Sequence, residues 1–331
     1  MSRTFQALVV RVSDDKNYTR AIEERSIDDL PQGEVLIRVH YSSLNYKDGL
    51  SCIGNRGVTR HYPHTPGIDA AGVVETSDSG DFKAGDPVVI TSYDLGMNTA
   101  GGFGQFIRVP ADWVMPLPEG LSLRESMIYG TAGYTAGLSV NVLQCHGVNP
   151  RGGPIVVTGA TGGVGSVSVA LLASLGYTVS ASTGKPDGEN FLKELGASEV
   201  IGRDAVNDKY GKPLLKETWA GAIDTIGGTT LATLLKACKE SGTVAAIGMV
   251  DDTDLHTTVF PFILRGVSLL GINSQGASMS IRQEIWSKLA KEWKPAVLEQ
   301  MAIDCKLEQL DPEIDRILAG DQRGRVVVDL Q

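Results

Sequence analysis

The chain has 331 residues, which is more than one ordinary hydrophobic core takes up, and this length predicts two domains. Its formal net charge of -9 argues against a nucleic-acid or anionic-membrane binder, because such proteins carry a basic face. Every apolar run is shorter than the roughly 20 residues that cross a bilayer, and the N-terminus lacks the pattern of a secretory signal peptide. We therefore expect a cytoplasmic protein whose partner is a small molecule.

The first 125 residues contain short β-branched runs separated by Gly, Pro and Asp, which is the pattern of a β-rich domain. In the run at 34–41, Val35, Ile37 and Val39 recur at every second position and predict one buried face of a strand. Similar runs lie at 6–10, 70–75 and 86–90.

The cysteines and histidines do not suggest a metal centre. Four cysteines lie far apart with no C-x-x-C pair, which favours reduced, buried thiols over a structural zinc site: Cys52, Cys145, Cys238 and Cys305. His61 and His64 are the one histidine pair spaced like ligands, but prolines beside them indicate a polar loop. We predict no metal.

From about residue 153 the pattern changes to strands alternating with helices. Val164, Val167 and Leu171 recur three and four residues apart and predict a helix that Gly176 ends. Predicted strands lie at 154–160, 178–182, 198–201, 221–227, 243–249 and 268–274, and further predicted helices at 189–196 and 230–238. This alternation predicts an α/β fold with a doubly wound parallel sheet.

The segment ATGGVG (160–165) lies between the first of these strands and its helix. It fits the G-x-G-x-x-G pattern with alanine in the first place, and a lone match of this kind is weak evidence. Here strand, loop, helix and second strand follow in order, so we predict that the loop binds a dinucleotide pyrophosphate through Thr161, Gly162, Gly163 and Val164. The alternative is a tight turn that only packs the helix on the sheet.

The end of the second predicted strand indicates which dinucleotide binds. An NAD site places an Asp or Glu about 20 residues after the glycines, whereas this chain has Thr183, Gly184 and Lys185 there. Hydroxyl groups and cations suit a 2'-phosphate, and Arg203 adds a second positive charge after the third strand. We predict NADPH. The alternative is that Asp187 or Glu189 reaches the ribose of NADH.

At full length the chain resembles the medium-chain dehydrogenase/reductase superfamily, and within it the acrylyl-CoA reductase group, which includes the YhdH/YhfP-type quinone oxidoreductases. The motifs that carry the resemblance include SSLNYKDGL (42–50), PGIDAAG (66–72), GTAGYTA (130–136), TGATGGVGS (158–166) and GRVVVDL (324–330). The resemblance implies a GroES-like catalytic domain from residues 1–125 and 276–331, a Rossmann NADPH domain over 126–275, and a homodimer.

The resemblance also implies chemistry without zinc. Zinc-dependent relatives carry a cysteine ligand near the position of Asn45 and a G-H-E segment where this chain has Gly67-Ile68-Asp69. Reduction of a carbon-carbon double bond conjugated to a carbonyl needs no metal, because the carbonyl accepts the charge as an enolate after hydride attack on the β-carbon.

Candidate catalytic residues follow from the same resemblance. Tyr46 is expected to contact the nicotinamide and to donate a proton or hydrogen bond, with neutral Asn45 as a second donor beside it. The alternative for Tyr46 is a packing role. The cofactor crevice is expected to include Thr131, Met249, Ser274 and Arg325. Asp69 is expected to have a structural role. For Asp48, a structural role and a role in the chemistry are given equal weight.

Three functions stay open from the sequence. The first is reduction of acrylyl-CoA to propionyl-CoA, for which the cluster of Arg56, Arg60 and His61 would contact CoA phosphates. Solvation at the surface explains these charges equally well. The second is reduction of quinones or free enones, which needs an aromatic-lined slot, and the aromatic content of 6% mildly disfavours it. The third is an NADPH-binding protein with little turnover.

Overall fold

The computed structural model describes residues 3–331, which divide into two compact units. The first unit contains residues 3–131 together with Ser278–Gln283 and Ala302–Gln331, and the second contains Ala132–Ala277 and Glu284–Met301. The sequence placed all of 276–331 with the first domain. Residues 284–301 lie in the second compact unit, where Trp286 is fully buried and stacks on Tyr134 with ring centroids 6.4 Å apart. The domain bounds stay a prediction.

The strands and helices follow in chain order. The first part of the chain forms β1 (Thr4–Val12), β2 (Tyr18–Ser26), β3 (Val35–Ser43), α1 (Tyr46–Cys52), β4 (Asp69–Ser77), β5 (Pro87–Thr91), β6 (Phe106–Val109), β7 (Met115–Pro116) and α2 (Leu123–Cys145). The middle part forms β8 (Ile155–Val157), α3 (Gly163–Ser174), β9 (Val179–Ser182), α4 (Gly188–Glu194), β10 (Glu199–Ile201), β11 (Trp219–Asp224), α5 (Gly228–Ala237), β12 (Cys238–Ala246), α6 (Phe260–Arg265), β13 (Ser268–Gly271) and α7 (Met279–Ala290). The last part forms β14 (Ala302–Lys306), α8 (Leu310–Leu318) and β15 (Arg325–Asp329).

The first unit is built on a β-sheet, as the β-rich pattern predicted. Its strands run in the order β14-β15-β3-β4-β5-β7, with β6 also paired to β3, while β1 and β2 form a separate antiparallel pair. Val35, Ile37 and Val39 are at most 1% exposed, so the predicted period-two face of β3 is confirmed. The sheet brings β15, from the end of the chain, directly beside β3.

The second unit contains a six-stranded parallel sheet in the order β10-β9-β8-β11-β12-β13. Counted from β8, this order is 3-2-1-4-5-6, which is the order of dinucleotide-binding sheets. The predicted α/β fold is therefore confirmed. The chain order reverses between β8 and β11, and ligands of such sheets bind in the crevice at the carboxyl ends of these two strands.

The four cysteines are free, as expected, but they are not all buried. Burial raises the pKa of the Cys52, Cys238 and Cys305 thiols to about 12, so these thiols are unreactive. Cys145, at the end of α2, is exposed, which corrects the expectation of four buried thiols. Over residues 3–331, no helix is long and apolar enough to cross a membrane.

Gly130 interrupts α2 with a non-helical backbone (φ 50°, ψ -155°) that is open almost only to glycine. A Cβ atom there would lie 2.4 Å from both Asp69 Oδ2 and Ser43 Oγ. The break therefore lets the backbone at Gly130 lie directly against the Asp69 carboxylate.

Replacing Gly130 with alanine is expected to lower the free energy of unfolding by about 3 kcal/mol or more, because the change adds both backbone strain and a clash. Gly147→Ala is the matched control, since Gly147 also has a positive φ (83°) but has open space around it. The control should cost only about 1 kcal/mol. Urea denaturation of both variants measures the difference, and equal losses would contradict the tight fit at Gly130.

Candidate active site

The glycine loop between β8 and α3 is packed tightly on one side. A Cβ atom at Gly165 would lie 2.3 Å from the Gly159 carbonyl oxygen, so the first turn of α3 rests directly on the loop backbone. At Gly162 an added Cβ would meet that oxygen only at 3.3 Å. The first N–H groups of α3 have no partner within the helix and form, with the helix dipole, a site suited to an anionic group.

Asp224, at the end of β11, holds the crevice between β8 and β11 in shape. Its side chain is fully buried and accepts hydrogen bonds from Thr158 Oγ1 at 2.6 Å and from the Gly227 and Ile226 N–H groups at 2.8 and 3.3 Å. Burial raises its pKa, and these three donors oppose that shift. Sequence analysis did not single out Asp224, although a carboxylate at the end of a strand beside the glycine loop was visible.

The residues predicted to select the cofactor lie together at the end of β9. Thr161 and Thr183 have their hydroxyl oxygens 3.4 Å apart, and the Lys185 N–H donates to Thr183 Oγ1 at 3.1 Å. The Arg203 side chain lies against Gly184, where an added Cβ would be only 2.2 Å from Arg203 Nε. Two hydroxyl groups and two cationic residues thus surround one short stretch of backbone.

The carboxylates considered as the alternative are arranged differently. Glu189 lies on α4 and forms an ion pair with Lys193, with Nζ and Oε1 2.6 Å apart, and this pair lowers the Glu189 pKa. Asp187 occupies the N-cap position of α4. The geometry at the end of β9 therefore favours a ligand that carries a phosphate over one that presents only hydroxyl groups.

The first unit has a second polar centre, built around Asp69 at the start of β4. This carboxylate is fully buried. It accepts hydrogen bonds from Ser43 Oγ at 2.6 Å, from Asn45 Nδ2 at 2.7 Å, and from both the N–H and the hydroxyl group of Thr131, the latter at 2.6 Å. Its oxygens are therefore fully used by the protein, which fits the structural role expected for Asp69.

Arg325, on β15, supplies the positive charge of this centre. It is 2% exposed, and its guanidinium donates to Ser43 Oγ at 2.9 Å and to the Ile128 and Leu44 carbonyl oxygens at 3.0 and 3.2 Å. Burial lowers the Arg325 pKa, and Asp69 partly offsets this effect. The guanidinium is thus directed at acceptors of the protein itself, and the contact of Arg325 with the cofactor stays a prediction.

Asn45 also bonds to groups of the protein, and its role as a donor to the substrate stays a prediction. Both amide hydrogens are used, by the Ser43 carbonyl oxygen at 3.2 Å and by Asp69 Oδ2, while Arg325 donates to its Oδ1 at 3.3 Å. Asn45 is only 8% exposed. The side chain therefore ties the start of α1 to the buried centre and has no hydrogen left for a ligand.

Asp48 completes the attachment of α1. Its buried carboxylate accepts from the Asn45 N–H at 2.8 Å and from the Gly67 and Ile68 N–H groups at 3.1 and 2.9 Å. Burial, with Asp69 nearby, raises its pKa to about 7. Asp48 thus joins the first turn of α1 to the segment that leads into β4, which is a structural role.

Tyr46 is the first residue of α1, so the hydrogen bonds of Asn45 and Asp48 fix the position of its backbone. Its side chain is 48% exposed, and within residues 3–331 its hydroxyl group forms no hydrogen bond. A rigidly held backbone with an available hydroxyl group is the arrangement that a donor to a ligand needs.

Near Thr131 the structure also shows two strained residues that sequence analysis missed. Ser92 and Tyr93 have φ angles of 66° and 53°, and Ser92 Oγ lies 2.9 Å from Thr131 Oγ1. The Tyr93 ring stacks on Trp113 with centroids 5.4 Å apart and lies 4.5 Å from the Arg282 guanidinium on its other side. Left-handed backbone at non-glycine residues concentrates at functional sites.

The remaining predicted residues occupy separate positions. Met249 follows β12 and is 70% exposed, and Ser274 follows β13, so both lie past the carboxyl ends of neighbouring parallel strands. Arg56 and Arg60 are exposed on the segment between α1 and β4. Their ligand contacts stay predictions, as do those of the glycine loop and of Thr131, whose hydroxyl group already donates to Asp69.

A zinc ion does not fit the Asp69 centre. The donor set holds no thiolate or imidazole, every oxygen of Asp69 already accepts hydrogen bonds, and the Arg325 cation lies in the same cluster. Within residues 3–331, no three His, Cys, Asp or Glu side chains are grouped to hold a metal ion.

Known proteins resemble the chain over its whole length. The acrylyl-CoA reductase AcuI of Ruegeria pomeroyi is 46% identical over 328 residues, which cover 98% of this chain and 99% of that protein. The yhdH oxidoreductase of Salmonella enterica, solved with NADP, has a TM-score of 0.95 and 42% identity over 98% of this chain and 100% of its own. Bacillus subtilis yhfP, solved with NAD, has a TM-score of 0.97 and 44% identity, and the match covers 99% of this chain and 100% of that one.

Two family models match as well. The alcohol dehydrogenase GroES-like domain matches residues 31–119, and the zinc-binding dehydrogenase family matches residues 163–292. The first match covers most of the sheet built around β3 and β4, and the second begins at the first residue of α3. The chain therefore belongs to the medium-chain dehydrogenase/reductase superfamily and is an oxidoreductase.

Proposed function

We propose that this protein reduces the carbon-carbon double bond of acrylyl-CoA to give propionyl-CoA, with NADPH as the reductant and without zinc. The observation that carries the proposal is the Asp69 centre, where a closed network of hydrogen bonds leaves no room for a Lewis acid. Reduction of an activated double bond needs none. The full-length similarity to an acrylyl-CoA reductase supports the choice of substrate.

The second unit fits a phosphorylated dinucleotide. The first turn of α3 presents backbone N–H groups at the crevice where the strand order reverses. Relatives of this chain have been solved with NADP and with NAD, so similarity alone does not select between them. Lys185, which follows Gly184 in the chain, and Arg203, whose side chain lies against Gly184, favour the cofactor that carries a 2'-phosphate.

The roles of this chain's residues follow from that fit. When bound, NADPH supplies the hydride that adds to the β-carbon of the substrate. Negative charge then develops on the thioester oxygen, and the Tyr46 hydroxyl group donates a hydrogen bond to that oxygen or a proton to the α-carbon. Asn45 and Asp48 hold the first turn of α1, and so they position Tyr46 without touching the substrate.

A homodimer and a cytoplasmic location belong to the same proposal. In the second unit, β13 is an edge strand, and exposed apolar residues lie on the adjacent helix α6, where Ile263 is 73% exposed and Leu264 60%. An edge strand beside an apolar surface is suited to pairing with a second copy of the chain. Sedimentation velocity measures the assembly state directly.

The substrate assignment is tested by following NADPH oxidation with acrylyl-CoA, crotonyl-CoA, free acrylate and 1,4-benzoquinone, in the presence and absence of EDTA. We expect acrylyl-CoA to give the highest kcat/KM and EDTA to have no effect. Turnover with the quinone alone would overturn the substrate. Tight NADPH binding without turnover of any compound would indicate a binding protein.

Replacing both Lys185 and Arg203 with alanine is expected to raise the KM for NADPH by about 100-fold, because two charge-assisted hydrogen bonds of about 1.5 kcal/mol each are lost. The KM for NADH should change by less than about threefold. Lys212→Ala, an exposed lysine of the same unit, is the control and should leave both constants unchanged. Equal effects on the two cofactors would rule out 2'-phosphate recognition.

Removing the Tyr46 hydroxyl group tests the mechanism. Tyr46→Phe should keep the NADPH dissociation constant within about threefold and lower kcat by about 100-fold, which is the usual worth of a general acid. Tyr210→Phe, whose side chain is 87% exposed, serves as the control. Pre-steady-state and steady-state rates on both variants provide the measurement. A near-normal kcat for Tyr46→Phe would leave this residue only a binding or packing role.

A further inference from the structure

The first unit contains a cavity of about 210 Å³ that the proposed chemistry leaves unused. Its walls come from the N-terminal strands, from the segment after α1 and from the segment after β5. Its lining includes Phe5, Arg25, Asp29, His61, Asn98 and Phe106. Arg25 lies near the end of β2 and is half-buried, whereas His61 lies at the exposed rim.

The surroundings of this cavity are less acidic than the chain as a whole. The net charge is -9, yet between Asp48 and Asp69 the sequence contains two arginines and two histidines and no carboxylate. In the part of the chain from residue 3 onward, neither Arg25 nor His61 forms an ion pair, and the one carboxylate lining the cavity, Asp29, is exposed. Arg25 therefore offers the cavity a guanidinium outside any ion pair, with the Glu23 carboxylate near enough to interact with it electrostatically, and His61 offers an imidazole.

The walls of the cavity are fixed by hydrogen bonds. Asn98 Oδ1 accepts from the Arg60 N–H at 3.2 Å, and His64 Nε2 lies 2.9 Å from the Gly96 carbonyl oxygen. The Gly101 N–H donates to the Thr65 carbonyl oxygen at 2.8 Å. These bonds join the segment after α1 to the segment after β5 on both sides of the cavity, so the cavity is preformed.

One wall is apolar and aromatic. Phe5 and Phe106 pack edge to face with ring centroids 5.7 Å apart, and the Arg3 guanidinium lies 4.5 Å from the centroid of Phe106. Flat apolar walls beside cationic groups suit a ligand that combines an aromatic ring with phosphates. Asp29, at the rim, is placed to accept from a hydroxyl group of such a ligand.

The cavity lies within reach of the residues around Asp69. Thr65 lines the cavity and is four residues from Asp69, so the two Cα atoms are at most about 14 Å apart. A ligand with a long flexible arm can therefore occupy the cavity at one end and present its other end near the start of β4.

We propose that this cavity binds the phosphoadenosine end of the CoA thioester, with Arg25 and His61 on its phosphates and the adenine against Phe5 and Phe106. The inference rests on the proposed function and assigns the part of the substrate that does not react. It keeps His61 from the cluster that the sequence suggested and adds Arg25, whereas Arg56 and Arg60 do not line the cavity.

The test compares acrylyl-CoA with acrylyl-N-acetylcysteamine, a thioester that lacks the phosphoadenosine end. The double variant Arg25→Ala/His61→Ala should raise the KM for acrylyl-CoA at least tenfold, leave kcat unchanged and leave both constants for the short thioester unchanged. Arg151→Ala, which removes an exposed arginine of the second unit, is the control and should match the wild type. Equal effects on both thioesters, or on neither, would overturn the proposal.

Calorimetric titration with free coenzyme A separates this proposal from the substrate assignment, because it requires no turnover. We expect the double variant to bind coenzyme A at least tenfold more weakly than the wild type, and dephospho-coenzyme A to bind the wild type more weakly than coenzyme A. Equal binding to wild type and variant would overturn the site even if acrylyl-CoA is reduced. Inorganic phosphate that binds as tightly as coenzyme A would also overturn it, in favour of a simple phosphate site.

Discussion

The buried charge pair of Asp69 and Arg325, joined through the Ser43 hydroxyl group, is the interaction on which the first unit's candidate site depends. Asp69 is fully buried and Arg325 is 2% exposed, so removing either partner would leave an unpaired charge in the interior at a cost of about 3–5 kcal/mol. The pair draws together β4, β15 and the end of β3. Tyr46 is held in place because Asn45, the residue before it, bonds to both charges.

The Asp69 centre therefore holds neighbouring residues in position and does not provide a Lewis acid. All of its donors and acceptors are directed at one another, which makes it rigid and leaves the exposed Tyr46 hydroxyl group as the group available to a ligand. Asp224 has a similar part in the second unit, where one buried carboxylate fixes the ends of two parallel strands beside the glycine loop. In both units a buried carboxylate shapes the backbone near residues that are themselves more exposed.

Interpretation of single residues from the sequence was less reliable than interpretation of periodic segments. The face of β3, the six parallel strands and the cluster of Thr183, Lys185 and Arg203 were predictable because each depends on local spacing or on strand order. Asn45 and Arg325 have the right chemistry to contact a ligand, but Asn45 donates to Asp69, and Arg325 donates to Asn45 and to other groups of the protein. Residues 280 positions apart supply those bonds, and no local pattern shows that they meet.

By itself, the sequence determined the β-rich and α/β classes and the place of the glycine loop, because hydrophobic period and glycine position are local properties. Tertiary structure alone decided which polar groups remain available. It buried Arg325, left Tyr46 half-exposed, placed Arg25 and His61 on one cavity, and assigned residues 284–301 to the second unit. The physical reason is that burial and hydrogen-bond partners depend on which distant segments pack together, and a residue's chemistry does not specify its neighbours.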